Sequence, residues 1–334
     1  MKRKFYLTIL FLLGPATFLF AQGVNYRGTS AVNFLKIGMG AKLVGVAESD
    51  ITFSQDASSL FWNPGSISRI NNTSAVFSYS TWLVETNLTY FAFTLPTEFG
   101  TAGLDVTYFT SGDIEETTLE KQEGTGRVVS ANDLSIGLAF AKNLTDRFSV
   151  GLKVKYIREQ LVSVTADAFA FDIGSVFVTS FLNNMKLGIS LSNFGSQMQF
   201  DGNDLLVTHV VPGSPTNKQI PAILQTNEWN LPLFFRIGLA TNAFEYQNYK
   251  LAVSYAITDS RDYETRHNLG AAFTFMDVLT LRGGYRFNYD EATFSAGLGV
   301  AIPSDFMGKV MFDYAYTDFG ELKDIHQLTV GLNF

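Results

Sequence analysis

The sequence predicts an all-β protein, a fourteen-stranded antiparallel transmembrane β-barrel with a small N-terminal plug. Two observations predict this fold. Turn residues divide the chain after residue 72 into fourteen segments of roughly ten residues. Each segment alternates apolar with small or polar side chains, and the alternation continues to Phe334. Because successive side chains of a strand point to opposite faces, each segment can present one face to lipid and the other to a lumen.

The alternation is clearest in three segments, 147–157, 278–287 and 324–334. In each of them the apolar row is expected to face lipid and the small or charged row is expected to face the lumen. The expected lipid-facing rows are Phe148, Val150, Leu152, Val154 and Tyr156; Leu279, Leu281, Gly283, Tyr285 and Phe287; and His326, Leu328, Val330, Leu332 and Phe334.

The N-terminus has the pattern of a secretory signal peptide. Three basic residues, 2–4, precede an apolar run from Phe5 to Phe20, and the small residue Ala21 follows. We expect residues 1–21 to be removed on export. The alternative is an anchor helix that is not cleaved, although the run is shorter than the roughly twenty residues that a spanning helix needs.

The composition excludes several classes of protein. Charged residues make up 16% of the chain and hydrophobic residues 46%, whereas ordinary domains contain about 25% charged residues. The chain has no cysteine, which excludes disulfides and thiolate metal sites. The net charge of -7 argues against a nucleic acid partner, because phosphate binding requires a basic surface. Neither a cofactor nor a metal site is predicted, and the acidic stretches 201–204 and 259–264 are interpreted as solvated loops.

The lengths of the connections support a membrane barrel of the bacterial outer membrane. Both long connections, 110–130 and 194–229, are expected on the external side, and the turns on the other side have at most eight residues. Aromatic residues near strand ends are candidates for interfacial girdles, and ordinary β-propensity is the alternative explanation for most of them; these residues are Trp82, Tyr108, Tyr249, Tyr289 and Tyr316. The predicted strands are 73–81, 87–95, 100–109, 131–142, 147–157, 166–178, 185–193, 230–240, 249–257, 266–275, 278–287, 292–300, 307–317 and 324–334.

Residues 22–72 lack the alternation and are rich in Gly, Ala and Ser. Small residues allow close packing, so we expect this stretch to fold inside the barrel as a plug. The run Gly38 to Lys42 lacks the full spacing of a phosphate-binding loop, so nucleotide binding is not expected. Charged residues in the predicted lumen row should pair with each other and with Glu48, Asp50 and Asp56 of the plug. Arg236, Arg282 and Arg286 are the candidate latch; a polar permeation path is the alternative.

Three stretches together resemble the PorV/PorQ family of outer-membrane proteins, a branch of the FadL-like fourteen-stranded barrels. They are SAVNFLKIGMGAK, SQDASSLFWNPG and the run of strands that follows. Trp62, Asn63, Pro64 and Gly65 stand where the family usually has an Asn-Pro-Ala motif at the hinge between plug and barrel, with Gly65 in place of Ala. The resemblance implies a role in type IX secretion, in which a PorV-like barrel receives cargo by its C-terminal sorting domain and passes it from the translocon to an attachment complex.

If this role applies, external loops are expected to bind the cargo. The long loop 194–229 is the best candidate because it groups apolar residues among polar ones. Its candidate contact residues are Val210, Val211, Ile220, Ile223, Leu224 and Trp229. The alternative is that this loop folds into the lumen as a lid.

Two other classes of function remain open. A FadL-like transporter of hydrophobic small molecules would need an apolar pocket between plug and wall, with candidate lining residues Phe34, Leu35, Phe53, Leu60 and Phe61. An enzyme would need a base close to a nucleophile and an orienting group. His209, His267 and His326 lack a Ser and an Asp at suggestive spacing. We therefore expect a protein that is not an enzyme.

Overall fold

The structure, a computed structural model, describes residues 28–210, 219–304 and 308–334, and the side chain of Val210 is not described. The predicted signal peptide, residues 1–21, lies outside the described residues. The division into signal peptide, plug and barrel therefore stays a prediction. Within the described ranges, none of the helices has the length and hydrophobicity of a transmembrane helix.

Fourteen strands in the described part of the chain form one closed antiparallel barrel, which confirms the predicted fold class. The first and last strands pair directly, from Ser74 with Asn333 to Thr81 with His326. The strands are β1 Ser74–Thr81, β2 Asn87–Thr97, β3 Gly100–Thr110, β4 Ala131–Asn143, β5 Phe148–Leu161, β6 Val164–Val178, β7 Lys186–Gly195, β8 Phe234–Tyr246, β9 Tyr249–Ser260, β10 Tyr263–Phe275, β11 Leu279–Phe287, β12 Phe294–Ser304, β13 Gly308–Thr317 and β14 Ile325–Asn333.

The predicted faces of the strands are observed. On β5, Leu152 and Val154 are 47% and 40% exposed on the outside, whereas Lys153 is 1% exposed and faces inward. Two girdle predictions are wrong. Trp82 packs against a buried cluster, and Tyr289 turns inward to contact Asn268. Both residues follow the end of a strand, where alternation no longer determines the direction of a side chain. Strand β8 begins at Phe234 and not at residue 230, because the preceding residues belong to the long loop.

Residues 30–70, called here the N-terminal segment, pack against the inward face of the barrel. The segment contains two short α-helices, α1 Ala41–Val44 and α2 Ser59–Trp62, and two 3₁₀ helices, Asn33–Lys36 and Pro64–Arg69. Leu60 and Ile67 are fully buried beside Ala141 of β4. The apolar side chains of the segment are therefore removed from water by the barrel wall.

Asn63 connects the N-terminal segment to the wall. Its side-chain oxygen accepts a hydrogen bond from the Gly65 amide at 2.9 Å, and its amide donates to the carbonyls of Ile51 and Ser175 at 3.2 and 3.0 Å. The side chain approaches β6 at Gly174, where a Cβ atom would lie 2.0 Å from the Asn63 oxygen. A glycine is therefore required on β6 for this contact.

A buried ion pair stabilises the middle of the N-terminal segment. Lys42 Nζ lies 2.5 Å from Asp56 and 3.6 Å from Asp313 of β13. Burial alone would raise the pKa of Asp56, but Lys42 and hydrogen bonds from Ser58 hold this pKa below its ordinary value of 3.8. The sequence prediction placed Asp56 opposite barrel cations, and the structure pairs it with a lysine of its own segment.

We expect Asn63→Ala to lower the free energy of unfolding by at least ~2 kcal/mol, because buried groups of Gly65, Ile51 and Ser175 lose their partner. Denaturant titration in detergent measures this change. Asn227→Ala, at an exposed loop position, is the matched control and should have little effect. Equal stability of the two variants would contradict the assigned role of Asn63.

The Lys42–Asp56 pair should make docking of the segment depend on pH. Because the pKa of Asp56 is lowered in the folded protein, its contribution is complete above pH 3.8 and is lost as the pH falls through the folded-state pKa. Amide protection factors of residues 57–60 should therefore fall between neutral and strongly acidic pH. Asp56→Asn should show a smaller fall, and an identical fall in both proteins would refute the assignment.

Candidate functional site

The long connections lie at one end of the barrel, called here the long-loop end. Residues 111–130 contain a small pairing of Ile114–Glu115 with Val128–Val129. Residues 196–233 contain a hairpin formed by Leu206–Val210 and Gln219–Ile223. The opposite end, the short-turn end, has brief connections such as 98–99 and 247–248. The long connections and their small hairpins are therefore concentrated at the long-loop end.

The hairpin of the long loop exposes apolar side chains to solvent. Ile220, Ile223 and Leu224 are 43%, 65% and 54% exposed, and Leu206, which the sequence analysis missed, is 53% exposed. Trp229, at the base of the loop, is 40% exposed. Val211 and the side chain of Val210 lie outside the described residues. The structure thus brings together Ile220, Ile223 and Leu224 on one hairpin and its exit.

The base of the same loop packs inward. Met198 is 2% exposed and exchanges two backbone hydrogen bonds with Trp229, at 2.9 and 2.8 Å. Its side chain belongs to a buried cluster with Phe34 of the N-terminal segment and Leu231. The base of the loop therefore covers part of the lumen, whereas the described side chains of the hairpin are largely exposed to solvent; cargo binding by this loop stays a prediction.

A cavity of about 460 Å³ lies at the long-loop end of the barrel, between the N-terminal segment and the wall. Its wall combines aromatic side chains, such as Phe109 and Phe234, with charged groups. Of the five residues predicted to line a transport pocket, Phe34 lies in this wall. The other four are dispersed: Leu35 and Phe61 line a minor void, Phe53 lines a cavity at the short-turn end, and Leu60 packs in the core.

The second cavity, about 280 Å³, lies at the short-turn end. Its lining is mainly polar and includes Lys42, Asp50 and Lys250. The predicted pairing of Asp50 with a barrel cation is not observed; its carboxylate accepts hydrogen bonds from the amide and hydroxyl of Thr52, at 3.0 and 2.7 Å. This arrangement makes Asp50 a local turn residue of the N-terminal segment.

The three arginines of the candidate latch have different environments. Arg286 lies 3.2 Å from Glu48 and links the N-terminal segment to β11. Arg282 pairs at 2.8 Å with Asp313, so this ion pair joins two barrel strands. Arg236 stacks over the rings of Phe234 and Trp62, with 4.4 and 5.5 Å from guanidinium carbon to ring centre. The latch role of these residues stays a prediction.

Sequence reasoning missed Lys42 as a contact between segment and wall. The signal was present, since Lys42 ends the glycine-rich run that superficially resembles a phosphate-binding loop. A lysine enclosed by small residues has room to reach partners on several elements. Its contact with Asp313 therefore adds an ionic link between the N-terminal segment and β13.

A second buried ionic group lies on the opposite wall. Lys153 of β5 is 3.1 Å from Asp105 and 3.2 Å from Asp172, and Lys155 is 2.8 Å from Asp172. Lys153 also donates to the carbonyl of Leu60 at 3.0 Å. These charges are paired with one another and with the N-terminal segment, as buried charges require. This environment favours a structural role for them.

The three histidines lie far from any common site. His267 and His326 face outward and form hydrogen bonds with Tyr255 and Tyr314, at 2.7 and 2.6 Å, while His209 lies in the exposed hairpin. Among the described residues, no group of three or more His, Asp or Glu side chains is placed to hold a metal ion.

A family model described as "Type IX secretion system protein PorV" matches residues 21–211. No curated protein sequence matches the chain significantly.

Solved structures with a similar fold include a FadL homologue of Pseudomonas aeruginosa, with 11% identity and a TM-score of 0.55 over 89% of this chain and 98% of that one. The toluene transporter TbuX of Ralstonia pickettii has 10% identity and a TM-score of 0.54, over 89% and 97%. The toluene transporter TodX of Pseudomonas putida has 11% identity and a TM-score of 0.52, over 92% and 98%.

At these identities the structural neighbours establish the fold alone, a FadL-like barrel with the same number of strands as predicted. The family model covers more than half of the chain, including the N-terminal segment and the strands β1–β7. The motif from Trp62 to Gly65, on which the resemblance was based, falls within the matched region. The chain therefore belongs to the PorV family of type IX secretion system proteins.

Proposed function

We propose that this barrel resides in the bacterial outer membrane and serves type IX secretion without catalysis, by binding the C-terminal sorting domains of exported proteins through its long-loop end. The observation that carries the proposal is the group of exposed apolar side chains on the hairpin and its exit, Leu206, Ile220, Ile223 and Leu224, in a chain of this family. Attachment or translocon subunits of the same system are further partners. The long-loop end would then face the outside of the cell.

The chemistry of the hairpin suits recognition of a protein surface. Ile223 and Leu224 are more than half exposed in the free protein, and burial of such a side chain contributes about 1.5–3 kcal/mol. The inward-packed base, centred on Met198, holds the hairpin in a defined position relative to the barrel. A preorganised loop loses less conformational entropy on binding than a loop that must first fold.

Polar residues around the apolar side chains of the hairpin favour reversible binding of a partner. Leu206 pairs across the hairpin with Ile223, while the neighbouring positions Thr208 and Gln219 are polar. A small apolar patch within a polar rim is typical of interfaces that form and dissociate. This property agrees with a shuttle, which must bind a sorting domain and then give it up.

A second candidate function is transport of a hydrophobic small molecule. The cavity of about 460 Å³ is large enough for such a ligand, and aromatic rings form part of its wall. The solved structures with the same fold include two proteins described as toluene transporters. Charged groups, among them the partly exposed Arg266, also lie in this wall, and an apolar ligand would remove water from them without pairing with them. Transport is therefore the second choice.

We expect the double variant Ile223→Asp with Leu224→Asp to weaken binding of a purified C-terminal sorting domain about tenfold or more, since each exposed apolar side chain can contribute 1.5 kcal/mol or more on burial. Affinity measured with the barrel in detergent tests this. Leu119→Asp is the matched control, because Leu119 is 94% exposed in the other long loop. Equal affinities of the two variants would disprove the role of the hairpin.

Deletion of residues 206–223 separates the two candidate functions in cells. A cargo-binding barrel should lose secretion of proteins that carry a sorting domain, because the exposed contact surface is removed. A transporter should keep uptake, because the described residues among those deleted do not line the cavity. Two results together would favour transport. Secretion would stay intact after the deletion, and growth on a hydrophobic substrate would fail when the cavity is narrowed, for example by Thr258→Phe.

A further inference from the structure

The two cavities of the lumen are separated by one stretch of the N-terminal segment, residues 41–49. Val44 and Glu48 line the cavity at the long-loop end, whereas Leu43 and Val46 line the cavity at the short-turn end. Strands β8, β9, β10, β11 and β13 contribute wall to both cavities. Residues 41–49 therefore lie between the two cavities, which run along the same part of the wall.

The wall beside this stretch consists of small residues from four consecutive strands. They are Gly270 of β10, Gly284 of β11, Gly297 of β12 and Ala315 of β13. A Cβ atom on Gly284 would lie 2.6 Å from the Val46 carbonyl carbon, and one on Gly297 would lie 3.1 Å from Gly45 Cα. The backbone of residues 45–47 occupies space that wall side chains would otherwise fill.

Larger polar side chains flank the small residues on the same strands. On β11, Arg286 lines one cavity and Arg282 lines the other, with Gly284 between them. On β13, Thr317 and Asp313 lie on either side of Ala315 in the same way. The wall thus carries polar side chains on both sides of the stretch 41–49, and small residues line the wall beside the stretch itself.

Polar contacts hold this stretch in place. Glu48 pairs with Arg286, Lys42 pairs with Asp56 and Asp313, and the hydroxyls of Ser49 and Ser254 lie 2.6 Å apart. The apolar cluster at this position contains Ala41, Val44 and Ala315, which provide little apolar surface. By contrast, residues 60–70 are packed through the side chains of Leu60, Ile67 and Ile70. The stretch 41–49 is therefore held by ion pairs and hydrogen bonds in addition to its buried apolar side chains, such as Leu43.

We propose that residues 41–49 close a permeation path for small hydrophilic solutes, which runs between the N-terminal segment and the inner wall of β8–β13. Displacement of this stretch joins the two cavities. The path is lined by charges of both signs, such as Arg266 and Glu48 at one end and Lys250 and Asp277 at the other. Small hydrated ions of either sign suit such a lining, and an apolar molecule does not. This activity is independent of cargo binding at the hairpin.

The first test compares two adjacent glycines of β11 in planar lipid bilayers with potassium chloride. Gly284→Ala adds a methyl group that collides with Val46 and Ala47, whereas Gly283→Ala points outward, where nothing lies within 4 Å. Overpacking by one methyl group should shift the stretch toward its displaced position and increase the mean conductance about tenfold. Gly283→Ala should conduct like the unmodified protein.

The second test locks the stretch to the wall. The chain has no cysteine, so Ser49→Cys with Ser254→Cys introduces one defined pair. The serine oxygens are already 2.6 Å apart, near the sulfur–sulfur bond length of about 2.0 Å. Oxidation of this pair in the Gly284→Ala protein should abolish the added conductance, and reduction with dithiothreitol should restore it.

Glu48→Gln provides a further opening variant, because it removes the ionic contact with Arg286 without adding an atom in the lumen. Heat-modifiable migration in gels reports whether each variant is a folded barrel. The proposal is overturned if folded Gly284→Ala and Glu48→Gln proteins conduct no more than Gly283→Ala, or if the added conductance survives oxidation. Cargo affinity of the same variants is expected to be unchanged, so this result and a failure of cargo binding are distinguishable.

Discussion

The other features of the structure depend on one constraint. The lumen of the barrel must be filled, and the charged side chains that point into it must have partners. A closed sheet satisfies its backbone groups between strands, but it also encloses a row of side chains that alternation directs into the lumen. Several of these side chains are charged, and charges removed from water require partners. The N-terminal segment supplies such partners: Glu48 for Arg286, Lys42 for Asp313 and the Leu60 carbonyl for Lys153.

Filling the lumen in this way leaves the long-loop end free to vary. The described side chains of the hairpin, 206–209 and 219–223, take little part in packing the interior, whereas Met198 at the base of the loop belongs to the buried cluster. The exposed surface at the long-loop end and the packing of the lumen therefore depend on different residues.

The sequence predicts most of the barrel because alternation at period two is a local property. The directions of Leu152 and Lys153 follow from their positions alone. Tyr289 and Trp82 were placed wrongly because they lie just outside strands, where the local rule ends. The contact of Lys42 with Asp313 could not be predicted, because it depends on the depth at which the N-terminal segment lies in the lumen. The exposed hairpin was predictable only as a group of apolar residues in a long loop.

The pairing of β1 with β14 has a consequence for how the chain reaches its native state. The seam joins Ser74 to Asn333, so residues separated by almost the whole barrel sequence must meet before the sheet is complete. Contacts of such long sequence separation form slowly, since the entropy of closing a long loop is lost before the contact contributes. Until then, the first and last strands each present an unpaired edge of amide and carbonyl groups, which lipid cannot satisfy. The seam of the nascent barrel therefore has unsatisfied hydrogen-bonding groups until β1 and β14 pair. Removal of β14 alone would leave such groups unsatisfied permanently.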